Sequence, residues 1–65
     1  MELQDLKVFE GKKVWVILNN NFEYNGIVNK VDDAKNGLIF LYLTDKFGKS
    51  IIFASGEIKQ IQEKQ

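Results

Sequence analysis

A chain of sixty-five residues with neither cysteine nor histidine has few ways to hold itself together. At this length only about 60% of the surface exposed by the unfolded chain can be buried, so a lone core is marginal. The usual supplements are disulfides, a bound metal or self-association. Without cysteine there is no disulfide. Without histidine a metal site would need carboxylates alone. Self-association remains, and the composition favours it. Hydrophobic residues are 45% of the chain, with Trp15, Phe22, Tyr24, Phe40, Tyr42 and Phe53 among them. The expectation is one domain, residues 1–65, that forms a homo-oligomer and carries no metal and no cofactor.

The same absences bear on chemistry. No His or Cys can act as base or nucleophile, and Ser50 and Ser55 have no activating partner in view. Catalysis is not expected. Nine basic residues, all lysine, balance nine acids. Zero net charge argues against a strong electrostatic DNA binder. The lack of arginine removes the planar fork that grips phosphates and base edges. No apolar run approaches the roughly 18 residues of a membrane span. The opening "MELQDLKVFEG" is too acidic and interrupted for a signal peptide. A cytoplasmic protein with no membrane partner is the expectation.

Residues 2–10 read as a short helix, with Leu3 and Leu6 at helical spacing and Phe9 beyond. Gly11 suits the left-handed position that ends a helix. From there the chain reads as β. "KVWVIL" (13–18) is rich in β-branched and aromatic residues. "NNN" (19–21) is a turn, because asparagine tolerates positive φ. "FEYNGIVNKV" (22–31) alternates, with Phe22 and Tyr24 on one face, and Gly26 interrupts it as at a sharp bend or close backbone approach. "GLIFLYLT" (37–44) reads as a strand buried on both faces. "DKFGK" (45–49) is a turn, and "SIIFA" (50–54) and "EIKQI" (57–61) are short strands. A helix and five strands, one of them long and bent, predict a mainly β fold: a strongly bent antiparallel sheet forming a small open barrel.

These features resemble the Sm and Sm-like (Lsm) family, to which bacterial Hfq also belongs. Sm sequences have a strand ending in Leu, a turn, then a Gly, an Asp six residues later and an Asn four after that. Leu18, Gly26, Asp32 and Asn36 stand at those places. Val14, Val16, Val28, Val31, Ile39 and Leu41 supply the apolar positions, and Asn21 replaces the turn glycine. The second motif is degenerate. Phe53, Ala54, Ser55, Gly56 and Glu57 lead into Ile58 and Ile61, but the family arginine is absent and its glycine is displaced by one. The Lys-His signature of Hfq is missing as well.

The resemblance implies rings of several copies, in which the strand at 50–54 pairs with the strand at 57–61 of the neighbour. It also implies that the motif loops bind single-stranded, often uridine-rich RNA. The site residues are then Asp32, Ala34, Lys35 and Asn36 in the first loop and Ala54 and Ser55 in the second. Asn36 would read a base edge and Asp32 would order the loop. Ala34 stands where relatives stack a flat side chain, and Ala54 where they place the arginine.

"DDAKNG" (32–37) is also ordinary turn chemistry, which needs no ligand. The alternative function is therefore a ring that serves as an assembly scaffold and has lost the RNA pocket. A monomeric SH3-like peptide-binding domain is a third reading. Trp15, Phe40 and Tyr42 have the opposite parity to Val14, Val16, Ile39 and Leu41. Some are expected on the outer face of the barrel or under the N-terminal helix, serving helix packing and subunit contact rather than RNA.

Overall fold

The computed structural model describes residues 3–33 and 37–64. Its elements are α1 (Leu3–Lys7), β1 (Lys13–Leu18), β2 (Glu23–Asp33), β3 (Ile39–Asp45), β4 (Ser50–Ala54) and β5 (Ile58–Glu63), with one turn of 3-10 helix, Ser55–Glu57, between the last two. The strands form one antiparallel sheet in the order β4-β3-β2-β1-β5. The expected mainly β, five-stranded sheet with a short N-terminal helix is therefore what the chain adopts. β4 and β5 are the two edges and do not pair with each other. Both halves of the sheet nevertheless feed a single core. Val14 and Val16 from β1, Val28 and Val31 from β2, Leu41 and Leu43 from β3, Phe53 from β4 and Ile58 from β5 belong to one buried cluster. A flat sheet could not bring them together, so this one curls around them.

Two features of β2 produce the curl. At Gly26 a Cβ would lie 2.3 Å from the Thr44 carbonyl oxygen and 3.0 Å from the Asp45 Cα. Glycine is there because β3 passes too close for any side chain. Three residues on, the pairing with β3 slips between Val28 and Lys30. The extra residue, Asn29, is a bulge, and bulges bend a strand and raise its twist. It also resets parity: Val28 faces the core before it and Val31 after it. Strict alternation would have turned Val31 outward, and no simple period in the sequence announces the slip.

The N-terminal turn finishes what β1 cannot. β1 pairs with β2 only across Glu23–Ile27, so the rest of β2 needs other partners on that side. Gly11 N–H donates to the Val28 carbonyl at 2.7 Å, and Val28 N–H to the Lys12 carbonyl at 3.0 Å. The Glu10 carboxylate accepts from Val31 N–H at 2.7 Å. A hydrogen bond to a charged group contributes about 1.5–3 kcal/mol. Glu10→Ala is expected to lower stability by about 1–2 kcal/mol in urea melts. Glu10→Gln, which keeps an acceptor, should recover part of that loss.

Four expectations are corrected. The helix ends at Lys7 rather than at residue 10. Phe9 N–H bonds to the Leu6 carbonyl and Glu10 N–H to that of Lys7, a tighter i to i−3 pattern that unwinds the last turn before Gly11, at φ 78°. β3 is not buried on both faces. Ile39, Leu41 and Leu43 are buried, but Phe40 and Tyr42 are half-buried because no second layer covers them. Phe22 precedes β2 and is 61% exposed, while Tyr24 packs on Phe53 with ring centroids 5.2 Å apart.

The helix is also on the other face from Trp15, Phe40 and Tyr42. It places Leu6 in the core with Val14 and Val16, and Phe9 packs against the same cluster. Trp15 instead donates from Nε1 to the Glu23 carboxylate at 3.0 Å, and the Lys30 ammonium sits 4.8 Å from the centre of the Tyr42 ring.

Candidate functional site

The two motifs meet through register. Asp32 lies opposite Phe40 on β3, and Phe40 lies opposite Ala54 on β4. Cross-strand partners share a face, so Asp32, Phe40 and Ala54 form one row on the outer face of the sheet. Two strand spacings separate its ends by about 10 Å. Asp32 is exposed, and Phe40 and Ala54 are half-buried. Of the other residues marked by sequence, Ser55 is half-buried at the start of the 3-10 turn. Ala34, Lys35 and Asn36 lie outside the described residues. Gly37 follows them at φ 75°, a left-handed turn conformation.

The second-motif turn is fastened to the turn between β1 and β2. Ala54 N–H donates to the Glu57 carboxylate at 3.1 Å. Asn19 donates from its backbone N–H to the Glu57 carbonyl and from Nδ2 to the Gly56 carbonyl, at 2.9 and 2.8 Å. Asn21 stands where the family has glycine and adopts φ 71°, so it does the job of that glycine. Between these two turns lies a hollow of about 200 Å³, lined by Leu18, Asn19, Asn20, Gly56 and Glu57.

The sequence leaves Phe40 open to the outer face or the helix, and it lies on the outer face. Its parity is visible, but its seat between the motifs depends on the β2–β3 register, which the bulge at Asn29 sets. At this end Asp32 and Asp33 are exposed, as is Lys30, and the ion pair among the described residues, Lys12 to Glu63 at 3.5 Å, is elsewhere. A larger concavity of about 490 Å³ opens beside the Gly26 bend, where Lys13, Asn25, Asn29, Thr44, Lys46 and Lys64 contribute to the wall. These residues come from four separate stretches of chain, and nothing in their spacing foretold it. Among the described residues no three His, Cys, Asp or Glu side chains gather to hold a metal, and no helix is long and apolar enough to cross a membrane.

No curated protein and no solved structure matches the chain. The LSM domain matches residues 4–39, from the helix through the first motif into β3. The match stops short of the degenerate second motif. With over half of the 65 residues matched and a five-stranded antiparallel sheet behind a short helix, the chain belongs to the LSM domain family of Sm-like proteins.

Proposed function

We propose that this Sm-like chain forms a homo-oligomeric ring in the cytoplasm and binds single-stranded, uridine-rich RNA without catalysis. The observation that carries the reading is the row Asp32, Phe40, Ala54, which sets the two motifs side by side on one face. Asp32 orders the loop, Lys35 attracts phosphate, and the Asn36 amide offers an acceptor and paired donors to the edge of an unstacked base. Ser55 closes the pocket from the second motif. The ring is supported by the two unpaired edges. Ala54 N–H turns away from β3 toward Glu57, while Asp45 N–H bonds to Lys49 across the end of the hairpin. Antiparallel pairs alternate between bonded and non-bonded, so the backbone groups of Ile52 face outward. β4 of one copy is then free to pair with β5 of the next.

Asn36→Ala is expected to weaken oligo(U) binding by about 1–3 kcal/mol without changing oligomer mass. Ala34→Tyr supplies a flat side chain at a position that carries none and should tighten binding by a similar amount, about 1–3 kcal/mol. Fluorescence anisotropy with a labelled oligo(U) measures both. Unchanged affinity in both variants contradicts the pocket.

The scaffold reading is favoured by one described residue, Ala54, whose methyl group cannot cover a base. If neither wild type nor Ala34→Tyr binds oligo(U), the ring is an assembly platform.

A further inference from the structure

The basic side chains of this neutral protein are not evenly spread. Lys13 at the start of β1, Lys46 on the β3–β4 turn and Lys64 after β5 converge on the 490 Å³ concavity beside Gly26. Lys64 donates to the Asn25 side-chain oxygen at 3.0 Å, an amide that leaves its charge uncompensated. The acid of the wall, Asp45, is occupied in its own turn. Its Oδ1 accepts from Phe47 N–H at 2.9 Å and Lys49 N–H at 2.8 Å. Three ammonium groups therefore face one carboxylate. A phosphate backbone is attracted to such a place.

The turn beside the concavity carries a second signal. Asp45, with Gly48 at φ 82°, fixes the turn backbone. It holds Phe47 out, 82% exposed, with the Lys46 ammonium 5.3 Å from the ring centre. A large aromatic ring kept in solvent by a rigid turn contributes nothing to the core. Next to a lysine-lined channel it is a stacking platform, and the Asn25 and Asn29 amides provide polar contacts that do not depend on base identity. Cationic groove plus aromatic platform is what binding of single-stranded nucleic acid requires.

We infer that the concavity beside Gly26 is a second binding site for single-stranded nucleic acid, separate from the motif loops. Lys13, Lys46 and Lys64 contact phosphates and Phe47 stacks on a base. Its ligand is a strand of any sequence, because neither wall amide has both ends free for a base edge: Asn25 Oδ1 accepts from Lys64 and Asn29 Nδ2 donates to Thr44 Oγ1. Apart from Lys64 the wall belongs to the three central strands and the β3–β4 turn, so pairing of the sheet edges leaves it open.

The test is anisotropy of labelled oligo(A) and oligo(U) on the intact protein, over a range of salt. The variants are Lys46→Gln/Lys64→Gln, Phe47→Ala and Asn36→Ala, with a poly-glutamate peptide as competitor. All the substituted side chains of the groove are exposed, and thermal melting checks that each variant folds. The double lysine variant should weaken both oligonucleotides roughly tenfold and flatten the salt slope by about 1.4, the share of two phosphates. Phe47→Ala should weaken them roughly tenfold with the slope unchanged. Asn36→Ala should leave oligo(A) binding as it was. If the groove variants bind like wild type while Asn36→Ala does not, the second site is overturned and the motif pocket stands. If poly-glutamate competes as well as oligo(A) and Phe47→Ala has no effect, the groove is a bare anion patch and the inference fails. If wild type binds neither oligonucleotide, both sites are overturned together.

Discussion

Gly26→Val is expected to abolish stable folding, and even Gly26→Ala to lower the melting midpoint by about 15 °C. A midpoint shift of that size corresponds to about 3 kcal/mol in a domain of this length. The cause is the approach of β3: the added Cβ would meet the Thr44 carbonyl oxygen at 2.3 Å and the Thr44 carbonyl carbon at 2.9 Å. Both are backbone atoms in a hydrogen-bonded ladder, so no rotamer change can relieve the clash. Overpacking typically costs about 1–3 kcal/mol where side chains can give way, and here they cannot. The whole stability of sixty-five residues is only about 3–10 kcal/mol. Circular dichroism melts measure the effect. An alanine variant within about 3 °C of wild type would show that the bend does not depend on the missing Cβ.

Ile52→Pro is expected to dissociate the proposed ring while leaving the sheet intact. Ile52 lies on the edge strand β4 and is 56% exposed. Its N–H faces away from β3, so proline removes no bond of the ladder within the chain. Proline is tolerated at such an edge position, but it denies the neighbour's β5 a donor and clashes with its backbone. Size-exclusion chromatography with light scattering should show the assembly replaced by single chains with a β-sheet circular dichroism spectrum. Ile58→Asp also removes the assembly, for a different reason: Ile58 is 7% exposed in the core cluster, and a carboxylate there unfolds the chain. The two variants separate loss of assembly from loss of fold. An Ile52→Pro protein that keeps the wild-type mass would mean that the contact between copies does not run through this edge.

Much of this architecture was legible in the residues. The β-branched runs at 13–18 and 50–54 give strands with those limits, and Gly26 and Asn21 do what a bend and a left-handed turn require. What escaped was set by contacts distant in sequence. Asn29 bulges because β2 must pair with β3 on one side and with the Gly11 turn on the other, and that slip decides that Val31 faces inward and Phe40 sits between the motifs. The helix is short because its last carbonyls are taken by the tightening turn into β1. The candidate site divides in the same way. Asp32 and Ala54 could be named from motif spacing, but their shared row could not, since it depends on two registers. The lysine-lined concavity was hidden altogether: Lys13, Lys46 and Lys64 look like scattered solvated charges in a neutral chain until the curl of the sheet brings them together.

Native mass spectrometry of the purified wild-type protein, alone and with oligo(U), decides whether an RNA-binding ring forms. One discrete species is expected at a fixed multiple of the chain mass, with a second series shifted by whole oligonucleotides when RNA is added. A single-chain species at micromolar concentration, with or without oligo(U), would contradict the ring.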